Sequence, residues 1–98
     1  MPLVVDPDHI EITAMRELVD LRDRRILEVG CGDGRITFQY ASEAASVLAF
    51  DADAEAIAEA RRATPENLRD KVRFEAADAA QIDLPKSEFE LAIFSWSL

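Results

Sequence analysis

A chain of 98 residues carrying a net charge of −9, 49% hydrophobic and 32% charged, is long enough for one small globular domain and too apolar to be disordered. No apolar run approaches the ~20 residues of a membrane span, and the acidity repels nucleic-acid phosphates, so no membrane contact and no direct nucleic-acid binding are expected. The lone cysteine, Cys31, excludes an internal disulfide framework and suits a reducing, cytoplasmic setting.

Met1 to Val5 is an apolar lead-in without a clear period. Asp6-Pro7-Asp8 signals a helix start, with Asp6 capping and Pro7 at the first helical position, or Asp8 capping with Glu11 three residues on. Ile12, Met15, Leu18 and Val19 then form one stripe through about Leu21. His9, the only histidine, reads as a surface or capping-region residue. Ile26 to Val29 reads as a buried strand broken by one acid, Glu28. All three glycines of the chain follow, at 30, 32 and 34. From Ile36 to about Ala44 the four-residue spacing of Ile36, Tyr40 and Ala44 predicts a helix, widened by Phe38 and Ala41.

Ser46 to Phe50, with Val47-Leu48-Ala49-Phe50 as its apolar run, is a second strand ending on Asp51. Ala54 to Ala63 is rich in strong helix formers, with Ala54, Ile57, Ala58 and Arg61 on one side and Glu59 within reach of Arg62. Pro65 stops that helix. Leu68 to Lys71 is a loop or single turn, and Val72-Arg73-Phe74-Glu75 alternates as an edge strand does. After the small-residue turn around Asp78 and the loop through Glu88, a fourth strand spans Phe89 to Ser95. The βαβ succession gives an α/β fold with a largely parallel sheet and right-handed crossovers.

A strand, a glycine turn and a helix start place backbone N–H groups toward a bound group. A dinucleotide turn needs a small residue where Arg35 or Thr37 stands, and a phosphate loop needs a Gly-Lys-Ser/Thr triplet that the chain lacks. What remains is Glu-x-Gly-x-Gly-x-Gly. Ligands of open parallel sheets bind beyond the carboxyl ends of the strands, here at Gly30, Asp51, Asp78 and Ser95. A carboxylate such as Asp51 can accept both hydrogen bonds of a ribose diol, and its alternative role is a helix N-cap or a solvated loop acid. Asp78 followed by the amide of Ala79 suits adenine, whose amino donor lies beside a ring-nitrogen acceptor. Residue types alone thus point to a nucleoside-binding α/β domain, and a nicotinamide-dinucleotide domain stays open, since Asp51 fits it equally.

The run Leu27-Glu28-Val29-Gly30-Cys31-Gly32-Asp33-Gly34 resembles the first motif of class I S-adenosylmethionine-dependent methyltransferases, and the downstream segments extend the likeness over about the whole chain. The resemblance implies a Rossmann-like sheet with helices on both faces, strand order 3-2-1-4, and S-adenosylmethionine as cofactor with S-adenosylhomocysteine as product. It implies that Glu28, Gly30, Cys31 (through its backbone), Gly32 and Gly34 cradle the methionine end. Asp51 would hold the ribose, Ala52 would lie against the adenine, Asp78 and Ala79 would read its edge, and Ser95 would close the fourth strand's contribution. Phe89-Glu90 departs from the family's Phe-Asp at the start of that strand. The family continues beyond strand four, so residues 1–98 read as the N-terminal, cofactor-binding part, truncated after that strand. The interior-type strand Leu91-Ala92-Ile93-Phe94 is then expected to have an unpaired edge, and the alternative to a transferase is an adenosyl-binding assembly module that forms a homodimer there. No catalytic residue, no metal site and no methyl acceptor is assigned.

Overall fold

The computed structural model describes residues 3–5, 20–78 and 89–94. Among these residues five strands run parallel: β1 (Leu3–Val5), β2 (Arg25–Val29), β3 (Ser46–Asp51), β4 (Val72–Ala76) and β5 (Leu91–Phe94), in spatial order β1-β5-β2-β3-β4. Helix α1 (Thr37–Tyr40) joins β2 to β3, and α2 (Ala54–Ala63) with a 3-10 turn at Glu66–Leu68 joins β3 to β4. The expected order 3-2-1-4 is present as β4-β3-β2-β5.

The far edge of the fourth expected strand is corrected. Leu3, Val4 and Val5 lie in register with Leu91, Ala92 and Ile93 as a parallel neighbour. An apolar three-residue segment supplies backbone groups that an interior strand would otherwise leave without partners. The homodimer imagined through that edge therefore lacks its premise over Leu91–Ile93. The helix expected from Asp6 or Asp8 falls mostly on residues 6–19, outside the described residues, as does His9; Leu21 beyond it is buried. Among the described residues no helix is long and apolar enough to cross a membrane.

The crossovers β2-α1-β3 and β3-α2-β4 step the same way across the sheet, so right-handedness puts α1 and α2 on one face. Register aligns Ile26, Val47, Val72 and Leu91 in one row of that face, and Glu28, Ala49, Phe74 and Ile93 in the next. All eight are buried, and seven are the apolar floor on which Tyr40, Ala41, Ala44, Ile57 and Ala60 pack. The eighth, Glu28, is the anomaly of the core.

Helix α1 is shorter than its periodicity suggests. Only Thr37–Tyr40 is α-helical, and the bonds from Glu43 N–H to Tyr40 O and Ala44 N–H to Ala41 O are of the tighter 3-10 type. In α2 the Asp53 carboxylate caps the N-terminus, accepting from the Glu55 and Ala56 amides at 3.0 and 3.2 Å. Its buried stripe is Ile57 and Ala60, whereas Ala54, expected on that side, is exposed. Arg61 reaches across to β4 instead of lying along the helix. Its guanidinium donates to Phe74 O at 2.7 and 3.2 Å, which occupies the outward-facing carbonyl at the middle of the edge strand. Strand β4 keeps the expected alternation, with Val72 and Phe74 buried and Arg73 and Glu75 exposed.

At the opening of β5, the Glu90 N–H donates to Arg25 O at 2.9 Å. The Glu90 carboxylate accepts from the Arg25 amide and side chain at 3.2 Å and from Arg24 at 3.4 Å. The longer acid thus ties the starts of β5 and β2 together. The Arg25 amide, then its side chain, holds the Glu90 carboxyl below the usual range.

Candidate functional site

At the carboxyl end of β2 the chain turns through Gly30, Gly32 and Gly34 at φ of 80°, 55° and 88°, a region that side chains disfavour. The Gly30 and Cys31 amides both donate to Phe50 O, at 2.8 and 3.2 Å, so the turn starts anchored to β3. The Gly34 amide closes the turn on Cys31 O at 3.0 Å, and the Phe38 amide opens the helix on Gly34 O at 2.9 Å. Several amides expected to face a ligand are thus engaged inside the fold, because a parallel neighbour's carbonyl lies within reach.

The two glycines that follow Cys31 have different surroundings. A Cβ at Gly32 would meet no atom within 4 Å. A Cβ at Gly34 would lie 3.0 Å from the Phe38 ring and 3.1 Å from that of Phe74. Those rings meet edge-on with centroids 5.7 Å apart, so Phe38 packs on the sheet as expected from its sequence.

Asp51 stands at the end of β3 beside this turn. Its Oδ2 accepts from the Gly32 amide and its Oδ1 from the Asp53 amide, each at 2.9 Å. Asp53, not Asp51, is the helix cap. Two backbone donors therefore fix the Asp51 carboxylate at the mouth, and each oxygen keeps acceptor capacity for a further donor. The chain leaving β4 comes to the same place: the Ala77 amide donates to Asp51 O at 2.9 Å, and Asp78 follows, exposed. Ala52 is exposed next to Asp51. Ala79 and Ser95 lie outside the described residues.

Glu28 lies beneath the turn, fully buried. Its Oε1 accepts from Thr37 Oγ1 at 2.7 Å and Tyr40 Oη at 2.5 Å. Burial, followed by the Glu28 charge, pushes the Tyr40 phenol well above its ordinary range, so it stays a donor. Sequence reasoning missed these two hydroxyls. The signal was there: a buried acid needs donors, and Thr37 and Tyr40 stand three apart on the first turn after the loop. The Cys31 side chain is also buried. Burial and then the negative charge of Glu28 and Asp51 push its thiol far up, leaving it neutral, and the thiol donates within the turn to Gly32 O at 3.7 Å.

Residues 26–98 match a methyltransferase domain family. The chain belongs to that family. A magnesium-protoporphyrin O-methyltransferase of Rhodobacter capsulatus is 34% identical over 76 residues, covering 78% of this chain and 34% of that protein. Among solved structures, an S-adenosylmethionine-dependent methyltransferase from Mesorhizobium loti superposes with a TM-score of 0.73 at 30% identity, over 86% of this chain and 38% of that one. An RNA methyltransferase from Salinibacter ruber, in complex with S-adenosylhomocysteine, gives 0.70 at 26% identity, over 82% of this chain and 53% of that one. The methyltransferase domain described here thus spans about a third of the length of the curated relative. Its fold is that of the class I S-adenosylmethionine-dependent methyltransferases, a family whose cofactor is S-adenosylmethionine.

Proposed function

We propose that residues 1–98 are the cofactor-binding part of an S-adenosylmethionine-dependent methyltransferase and that the cofactor lies over the glycine turn, between Asp51 and Asp78. The observation that carries this reading is the pairing of Asp51 Oδ2 with the Gly32 amide beside a backbone position whose missing side chain leaves open space. The donor set fits the molecule. A carboxylate clamped by two amides is already oriented, so accepting two ribose hydroxyls costs little further ordering. Bare backbone at Gly30 and Gly32 lets the methionine end approach closely. Asp78 suits the amino group of adenine, with Ala52 against its face; Ala79 and Ser95, assigned to the same site from the sequence, lie outside the described residues.

The bound cofactor supplies a methyl group already activated on a sulfonium. The residues here bind and align it, a positioning role that needs no acid or base from this chain. Glu28 acts from below the turn, through the residues that border it. The single, buried, unpaired cysteine suits a reducing, cytoplasmic setting.

Calorimetric titration of the protein with S-adenosylhomocysteine, and separately with NAD, tests the reading. Saturable heat with the first and none with the second is expected. Binding of NAD with no response to S-adenosylhomocysteine overturns it in favour of a dinucleotide domain.

A further inference from the structure

The Glu28 cluster is more polar than core packing requires. Replacing a buried, hydrogen-bonded charge by apolar groups of similar volume is often neutral or stabilising, so a carboxylate in this row of aliphatic and aromatic residues has no packing rationale. Its position supplies one. Glu28 lies two residues before Gly30, and Thr37 and Tyr40 lie on the first helical turn after Gly34. Both hydroxyls converge on one oxygen, Oε1. Strand and helix are therefore joined underneath the turn by directional bonds, while the turn's upper side is held to β3 through Phe50 O and Asp51.

We propose that Thr37 and Tyr40 are positioning residues of the cofactor site. Their hydroxyls clasp Glu28, fix the separation between the end of β2 and the start of α1, and so set the curvature of Gly30–Gly34 against Asp51. Apolar side chains would fill the same space and allow the helix to slide, because dispersion contacts have no preferred direction. Hydrogen bonds to a single oxygen do not allow that slide. This inference rests on the reading that the turn holds S-adenosylmethionine; the clasp itself is a property of the chain.

The test compares the wild-type protein with Thr37→Val, Tyr40→Phe and the conservative Thr37→Ser. S-adenosylhomocysteine affinity is measured by calorimetry below the melting temperature of each variant. Amide hydrogen exchange is followed at Gly32 and Gly34 in the turn and at Val47 and Ala49 in β3. Loss of either hydroxyl is expected to weaken binding about tenfold, because a displaced turn must be reordered when the ligand binds, while Thr37→Ser stays close to wild type. Exchange at Gly32 and Gly34 is expected to quicken while the β3 amides keep their protection. Unchanged affinity in both deletion variants overturns the proposal. So does equal loss of protection in turn and strand, which would make the cluster ordinary core. If the wild-type protein takes up no S-adenosylhomocysteine, the site reading fails, and the exchange comparison alone decides whether the clasp shapes the turn.

Discussion

Gly32 and Gly34 share a positive φ and a turn, yet their surroundings are opposite. Above Gly32 there is open space bordered by a carboxylate, whereas Gly34 lies against two aromatic rings. The same contrast runs through the site, with Asp51 half-buried and amide-bound at the mouth and Glu28 fully buried and hydroxyl-bound beneath. A small residue can therefore be required by a neighbour or by a guest, and the two requirements leave different signatures in stability and in binding.

Substitution at the two glycines should separate those signatures. Gly34→Val combines a disfavoured φ with overpacking against Phe38 and Phe74 and is expected to cost about 3 kcal/mol or more of stability, read from denaturant or thermal melts. A melt close to wild type would show that the rings yield, and the contrast with Gly32 would fail. Asp51→Asn keeps the shape but leaves one oxygen to serve both the Gly32 and Asp53 amides. S-adenosylhomocysteine should bind about tenfold more weakly by calorimetry, with about 1 kcal/mol lost in stability. Gly32→Ala should cost only about 1 kcal/mol, the strain of a left-handed residue, because its Cβ meets nothing. Its larger effect should appear in the binding titration; equal losses at Gly32 and Gly34 in the melt would refute the distinction.

The smallest effect lies away from the turn, at Glu90. Its carboxyl is held low in the folded state, so its contribution is present above the unfolded value and fades as the pH falls through the folded one. The melting temperatures of wild type and Glu90→Gln should differ near neutrality, converge in acid, and draw together in high salt because the pair is exposed. A gap independent of pH would assign the difference to shape rather than charge.

Much of this architecture was legible in residue pattern. Ile26–Val29, Val47–Phe50 and Val72–Glu75 are long and apolar enough, or alternate clearly enough, to be read as strands. The run of helix formers from Ala54 and the stop at Pro65 delimit α2. The sheet order came from the family resemblance, and it brings Asp51 beside the glycine turn. What stayed hidden depends on long-range placement. Leu3–Val5 is too short to display a period and is recognised only by the strand that it joins. The donors of Glu28 lie nine and twelve positions away and become its partners only when α1 folds back over β2. That Asp53 rather than Asp51 caps α2 depends on where the chain bends, which both acids permit.

Strand β1 has a consequence for how the domain forms. Among the described residues its partner in the sheet is β5, so Leu3 waits for Leu91 while every residue between them is synthesised. A parallel pairing across that many residues is of high contact order and intrinsically slow. Until then β5 has a bare flank, and chaperone engagement during this interval should concentrate there.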